Sequence, residues 1–482
     1  MAISIHTIHW PVELNAQEQL IFRAVARAAA EMGIPAYAIG GFVRDKLLKR
    51  ATTEIDFVCV GDSITLAKAS AQNLPGEVKG VQVFKNFGTA HFEWNGYQVE
   101  FVGARRESYR PDSRKPEVEP ATLEEDLLRR DFTINTLMIS LQSEDFTELL
   151  DAFHGWEDLQ KKRIRTPTDP VITFRDDPLR MMRAIRFATQ LQFSIVPEVV
   201  RAIRQEAERI RIVSQERITD ELNKILMAEK PSIGFDWLFK TGLLQIIFPQ
   251  MAALAGVEMI DGKGHKDNFY HTLQVIDNVA AKSTNLWLRW AALLHDIGKP
   301  ATKRFDPQQG WTFHGHEVVG ARMVPKIFAQ LKLPTHQPME YVKKLVLLHL
   351  RPISLTRENI TDSAIRRLLF EAGNDLEDLM LLCEADITSR NAQKVKRYLQ
   401  NFALVRKRLQ EVEEKDRIRN WQPPITGEMI MERFKLPPCK LVGDIKNAIR
   451  EAILDGKIRN DFQEAWDYMI QVARELHVPN VD

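Results

Sequence analysis

The chain has 482 residues, enough for two or more domains with ample cores, and 27% of them are charged for a formal net charge of +1. Bulk charge therefore announces no polyanion partner, and any nucleic-acid surface has to be a local patch. The distant Cys59, Cys383 and Cys439 exclude a disulfide framework or CxxC zinc site and fit a reducing cytoplasm. MAISIHTIHWPVELNAQ lacks a leader pattern, and no apolar run spans a bilayer, so neither a signal peptide nor a membrane partner is expected.

In chain order, residues 14–31 place Leu14, Ile21, Phe22 and Val25 at helical spacing. The stretch 36–58, AYAIGGFVRDKLLKRATTEIDFV, is the one the chain is organised around. Tyr37–Ile39 reads as a strand, Gly40 and Gly41 as a turn, and Arg44 with Asp45 as a helix start. Glycines between strand and helix let backbone N–H groups approach a phosphate. Glu54 and Asp56, two apart on a second strand, point to one face and suit a hard divalent cation.

A helix is expected over 64–74 and a β region over 78–102. Within it, Asn95-Gly96 between alternating runs predicts a type I′ hairpin. That register sets Phe92, Trp94, Tyr97, Val99 and Phe101 on an apolar face, and His91, Glu93, Gln98 and Glu100 on the other. Either Glu93 or Glu100 is a candidate third carboxylate. Residues 103–123, rich in charge and proline, predict a mobile loop.

LEEDLLRRDFTINTLMISL returns to helix and strand, with Arg129, Arg130 and Asp131 before a Thr-Ile-Asn turn. From Val171 onward only helices are expected. One comes after Pro178, with Asp176 and Asp177 at its cap and Arg180, Arg183 and Arg186 on one face. The glycine-rich stretch 256–268 marks a boundary. Beyond it come His271, His295-Asp296, the His314/His316 loop pair, His349 and Asp386, and then a helical tail.

Several of these segments, in this order, resemble the class II tRNA nucleotidyltransferases and bacterial poly(A) polymerases that carry an HD domain. GGFVRD (40–45) resembles the family's phosphate-binding motif, and ATTEIDFV carries its metal pair. RRDFTIN (129–135) is similar to the ribose motif, DDPLRMMRAIRF (176–187) to the base motif, and Arg105, Glu107 and Tyr109 to an R-x-E-x-Y pattern. The tail ITGEMIMERF…LVGDIKNAIREAILDG resembles the family's RNA-contacting segment, with Gly427 and Gly443 at helix starts and Lys446 and Arg450 on one face. One departure is Glu54, where the family usually has Asp.

The resemblance implies an α+β fold. Its parts are an N-terminal helix (1–32), a nucleotidyltransferase head with a mixed sheet (33–165), a helical neck (166–255), an HD domain (256–400) and a helical tail (401–482). It selects Glu100 over Glu93 and assigns Mg²⁺ to Glu54, Asp56 and Glu100. Phosphates go to Gly40, Gly41 and Arg44, ribose to Arg130 and Asp131, and the base to Asp177 and Arg180, with Arg183 beside them. His271, His295, Asp296 and Asp386 match the H…HD…D order of a divalent-metal centre, with His316 and His349 as candidates for a second ion. The implied substrates are CTP, ATP and a tRNA 3′ end. The competing readings are A-only, CC-only or poly(A) addition, an HD phosphohydrolase with a non-catalytic head, and a non-catalytic RNA-binding protein.

Overall fold

The computed structural model describes residues 3–10, 13–85, 88–110, 116–355, 361–389, 391–416, 418 and 421–481. The chain divides into two compact units, residues 1–249 and 250–482.

The first unit is built on an eight-stranded mixed sheet. Its strands are β1 (His6–His9), β2 (Ala36–Ile39), β3 (Glu54–Cys59), β4 (Lys79–Phe84), β5 (Thr89–Trp94), β6 (Tyr97–Gly103), β9 (Met138–Ser140) and β10 (Glu148–Asp151). Their order is β1-β10-β9-β2-β3-β6-β5-β4, and β3 with β6 is the parallel pair. The Asn95-Gly96 turn has the positive φ angles of a type I′ hairpin, 47° and 81°. It sets Trp94 opposite Tyr97, Phe92 opposite Val99 and His91 opposite Glu100, as the alternation predicts.

The apolar hairpin face is buried. It joins helix α1 (Ala16–Met32) through Phe22, whose ring lies 5.4 Å from that of Phe57, which stacks at 5.5 Å on Phe101. Asn15 opens α1 with a reciprocal capping box to Glu18. Leu14 precedes that helix and is only half-buried. Helix α2 (Gly41–Leu47) continues from the glycine turn, and the helix predicted over 64–74 is present as α3 (Ser63–Gln72). Helices α4 (Leu123–Leu128) and α5 (Gly155–Gln160) flank β9 and β10 along the chain.

Three expectations need correction. Residues 103–123 are not a structureless loop: β7 (Arg105–Ser108) pairs with β8 (Glu117–Pro120), laced by Arg106–Glu119 and Arg110–Glu117 ion pairs. The tip, 111–115, lies outside the described residues. Strands also continue beyond Val171, as short ribbons at 194–195, 259–264 and 304–312. They are two or three residues long, too short for a period-2 pattern to register. Asp176 ends helix α6 (Pro170–Asp176) rather than capping the next one, and Asp177 alone accepts from the Leu179 N–H that starts α7 (Leu179–Leu191).

The second unit is helical. Its 256–268 break is ordered in part by the ribbon Met259–Ile260/Lys263–Gly264. Gly427 opens a helix as expected, whereas Gly443 sits inside helix Lys440–Leu454. No helix among the described residues is long and apolar enough to cross a membrane.

Candidate active site and metal centre

In the head, parallel pairing of β3 with β6 puts Asp56 directly opposite Glu100 and Glu54 opposite Gln98. Asp56 and Glu100 are therefore cross-strand neighbours, close enough for like charges to repel. Glu93 is drawn the other way, bonded to Lys79 of β4 at 2.8 Å. The hairpin register alone leaves Glu93 and Glu100 equivalent; the β3–β6 pairing separates them.

Burial raises the Asp56 carboxyl to about 6, with Glu100 and Glu54 adding to the rise and Arg130 opposing it. Excess negative charge gathered on one face, with a carboxyl pushed toward holding a proton, is the environment a divalent cation relieves. The donor set fits such an ion.

Gly40, at φ 80°, turns β2 into α2. Arg44 is buried there. Its Nε donates to Asp45 at 2.9 Å and its Nη1 to Asn135 at 2.8 Å, so only Nη2 remains on the Gly41 side. Its guanidinium also stands 5.0 Å from the Phe187 ring of α7. Arg44 thus ties the glycine turn to the RRDFTIN segment and to α7.

Asp131 is buried, and its oxygens are heavily used. Oδ1 accepts from the Phe132 N–H and Asn135, and Oδ2 accepts from Arg183 Nε and Nη2 at 2.8 and 2.7 Å. Burial opposes its ionisation, yet Arg183, the Asn135 hydrogen bond and Arg180 together outweigh it and hold the carboxyl down at about 2. A carboxylate offers about four acceptor positions, so a sugar hydroxyl reaches Asp131 only by displacing a present partner. Arg130 lies beside it, with Nε and Nη2 both on Asp126 Oδ2 at 3.1 and 3.0 Å.

Asp126, on α4, is fully buried and also holds Arg129 and the Arg105 N–H. Sequence reasoning missed it, although Arg129 and Arg130 follow at i+3 and i+4 just past the end of α4, a spacing that signals such a pair. Glu107 is a second hub. It accepts from Arg105 at 3.0 Å, Arg129 at 3.2 Å and the Tyr109 hydroxyl at 2.5 Å, and lies 4.0 Å from Arg180. Arg180 in turn donates to the Arg129 carbonyl at 2.7 Å.

These side chains wall a cavity of about 680 Å³, whose lining includes Glu107, Tyr109, Arg130, Asp131, Asp177 and Arg180. Arg183 and Arg217 complete it on the helical side. Arg217, on helix Gln215–Leu226, is a lining residue that no sequence motif singled out. The cavity therefore joins the β7–β8 ribbon, the RRD segment and α7, with polar groups converging on one concave space, the usual make-up of a nucleotide-sized site. Arg186, on the same stripe, turns away to Glu221 at 2.5 Å.

In the second unit His271, His295 and Asp386 bring donor atoms together, and Asp296, His316 and His349 form an adjoining triad. Asp296 joins the two: Oδ2 lies 3.6 Å from His271 Nε2 and 3.3 Å from His295 Nε2, while Oδ1 lies 3.1 Å from His316 Nε2. His316 and His349 face each other through Nε2 at 3.3 Å.

The ring orientations are fixed from behind. Nδ1 of His295, His316 and His349 contacts the carbonyls of Ala292, Phe313 and Val346 at 2.7, 2.9 and 2.6 Å. Donation there leaves each Nε2 lone pair facing inward. His271 Nδ1 meets Thr388 at 2.8 Å and Lys266 at 2.9 Å. His316, expected in a loop, is the first residue of helix His316–Gln330; His314 stays in the loop. Gly298 permits this close fit, since a Cβ there would meet the His316 carbonyl at 2.3 Å.

His295 Nε2 is fully buried, 3.3 Å from Asp296 and 3.4 Å from Asp386, with neither aligned for a hydrogen bond. Burial disfavours its charged form, but Asp296 and Asp386 override this and raise its pKa. An inward nitrogen among carboxylates that favour positive charge fits divalent metal, and Asp296 turns one carboxylate oxygen toward each of the two groups that would hold it.

The same stretches of chain match known protein families. Residues 36–165 match the poly A polymerase head domain, 192–254 the probable RNA and SrmB-binding site of polymerase A, and 268–391 the HD domain. The A-adding tRNA nucleotidyltransferase of Deinococcus radiodurans is 32% identical over 368 residues, 74% of this chain and 81% of that protein. The multifunctional CCA protein of Shewanella frigidimarina is 32% identical over 391 residues, 76% of this chain and 86% of that protein. The crystal structure of the Bacillus stearothermophilus CCA-adding enzyme with CTP shares the fold, with a TM-score of 0.65 at 21% identity over 96% of this chain and 99% of that one. Fold, site and kinship together make this chain an enzyme of the tRNA nucleotidyltransferase and poly(A) polymerase family, in its HD-domain-containing form.

Proposed function

We propose that the enzyme adds or repairs the 3′-terminal CCA of tRNA from CTP and ATP, without a nucleic-acid template, in the cytoplasm. The supporting observation is the cavity that places Asp177 and Arg180 beside the Arg130/Asp131 segment, with Arg130 close enough to Asp56 to act on its charge. Glu54, Asp56 and Glu100 would hold Mg²⁺, which when bound lowers the pKa of an RNA 3′-hydroxyl and neutralises a triphosphate.

The chain's own groups do the rest. The Gly40-Gly41 backbone and Arg44 Nη2 face the β/γ-phosphates, and Arg130 lies toward the sugar. In the reaction the 3′-oxygen forms a bond to the α-phosphorus, the bond to the bridging oxygen breaks, and pyrophosphate departs. The hydroxyl proton leaves to solvent or a carboxylate.

Base choice rests on hydrogen-bond polarity. Asp177 accepts from an exocyclic amine and Arg180 donates to an unprotonated ring nitrogen. Cytosine and adenine present that pair of groups; uracil and guanine present its reverse. Each mismatch strands a buried polar group at about 1–3 kcal/mol. Asp177→Asn, which offers an amide in place of the carboxylate, should narrow the preference for CTP and ATP over UTP and GTP about tenfold or more, read from single-nucleotide incorporation.

The deciding experiment supplies tRNA ending before CCA, at C, at CC, or intact, with CTP, ATP or both. Stepwise completion to CCA is the expected result. Incorporation of A alone would favour the A-adding activity named for the Deinococcus relative, and long A tails on unrelated RNA would sink the CCA reading.

A second reading concerns the histidine centre. Its six inward donors support hydrolysis of 2′,3′-cyclic phosphates or 2′-phosphates at RNA ends. Water adds to phosphorus, one P–O bond breaks, and the departing sugar oxygen takes a proton.

A further inference from the structure

Beside the histidine centre lies a group of half-buried aromatic rings that metal binding does not use. The ribbons at 259–264 and 304–312 are stitched together: Lys263 donates to the Pro307 carbonyl at 2.7 Å, and the Trp311 indole N–H donates to the Lys263 carbonyl at 3.2 Å. His265 stands edge-on to Trp311 and Phe313, with centroids 5.4 and 5.6 Å away. Its ring is pinned at both nitrogens, by the Lys266 carbonyl at 2.8 Å and the Glu258 N–H at 3.3 Å. Trp311, Phe313 and His265 all remain half-buried.

Two lysines tie this aromatic group to the metal ligands. Lys266, next in sequence to His265, reaches His271 Nδ1 at 2.9 Å. Lys299 bonds Asp296 Oδ2 at 2.7 Å, and its ammonium is also 5.5 Å from the centre of the Phe313 ring. Lys303 lies 4.4 Å from the Trp311 ring centre. Phe313 is itself anchored to the centre, since its carbonyl meets His316 Nδ1 at 2.9 Å. The imidazoles, carboxylates and ammonium groups suit an anionic phosphate, and the aromatic rings beside them suit the base that a nucleotide carries one sugar away. Aromatic faces interleaved with cations are the usual means of holding bases without reading their sequence.

We propose that Trp311 and Phe313 form a base-stacking platform that makes the histidine centre selective for phosphates carried on a nucleoside at an RNA end. The proposal rests on the hydrolytic reading of that centre and names its substrate class. The platform accepts any base, because every base has a π-face.

The test uses the full chain and two substrates, adenosine 2′,3′-cyclic phosphate and the abasic ribose 2′,3′-cyclic phosphate. Trp311→Ala and Phe313→Leu should each raise KM about tenfold for the nucleotide with little change in kcat and leave the abasic substrate unaffected, whereas Trp311→Phe should stay close to the wild type. A second readout needs no turnover. With 5-fluorotryptophan incorporated, the resonance missing from Trp311→Phe should shift when adenosine 2′-monophosphate is added to metal-free protein, and should not shift with inorganic phosphate. Equal losses on both substrates, or a stationary Trp311 resonance, would overturn the platform and leave the hydrolytic centre standing. If the wild type with added divalent cation hydrolysed neither substrate, the hydrolytic reading would fall and the platform with it.

Discussion

In the head, Glu54 and Glu100 stand exposed and Asp56 is half-buried, whereas in the second unit His295, Asp296 and His349 are each 2% exposed or less. The head carboxylates sit on adjacent strands and take their positions from backbone pairing within the sheet. The histidine ligands are braced by backbone carbonyls, by Thr388 and by the tight approach at Gly298. Open carboxylates suit an ion that keeps waters and arrives with a triphosphate. Buried imidazoles with fixed lone pairs suit a resident metal. Two donor sets of different rigidity thus stand in one chain.

Disabling each centre separately should have the greatest consequence. Asp56→Ala should lower nucleotide addition at least about a thousandfold while sparing phosphoester hydrolysis, because it removes the central carboxylate of the proposed head cation site only. His295→Ala should do the reverse. Parallel measurement of both activities in both variants checks this; a joint collapse in a folded Asp56→Ala protein would mean the two centres are not independent.

A change of intermediate size probes what holds the head site in shape. Asp131 has its carboxyl held at about 2 against an ordinary 3.8, chiefly by Arg183 acting against burial. A depressed carboxyl stabilises the fold fully above its unfolded pKa and stops doing so as pH falls through the folded value. Its contribution at neutral pH is about 2 kcal/mol. Asp131→Asn should cost roughly that much near pH 7, and the gap between variant and wild type should close between about pH 4 and pH 2 in thermal unfolding. A gap that persists at pH 2 would show that packing, not charge, makes Asp131 matter.

How much of this is legible in the sequence depends on how local the cause is. Asn95-Gly96 dictates its own turn, so the hairpin register is readable to the residue. The glycine turn and the spacing of Glu54 and Asp56 are local too. The meeting of Asp56 with Glu100 is not, because it depends on β3 pairing parallel to β6 across a long connection. The arm at 103–123 reads wrongly as a loop because charge and proline mark loops and edge strands alike, and here β7 and β8 form a ribbon outside the main sheet. Asp131 reads as a free acceptor; only tertiary packing reveals that Arg183, Asn135 and a backbone N–H already occupy it. At the histidine centre, motif order points to the ligands, but no pattern announces Lys266 or Thr388 as their supports.

The mildest change is expected at Glu54. It is exposed at the first position of β3 and stands opposite Gln98 rather than another carboxylate. Its longer side chain would reach an ion at Asp56 from the open end of the strand. Unlike Asp56, it sits where rotamers can adjust, so replacing it by the family's usual Asp exchanges one oxygen donor for another at a slightly different reach. Glu54→Asp should alter kcat for nucleotide addition by no more than about threefold and leave hydrolysis untouched, with the difference between Mg²⁺ and Mn²⁺ as the more sensitive readout. A large gain with Mg²⁺ alone would mean that Glu54 misplaces the ion and that the openness of the head site carries a cost in geometry. Inactivity of both forms, with the fold intact, would instead place the head among binding modules.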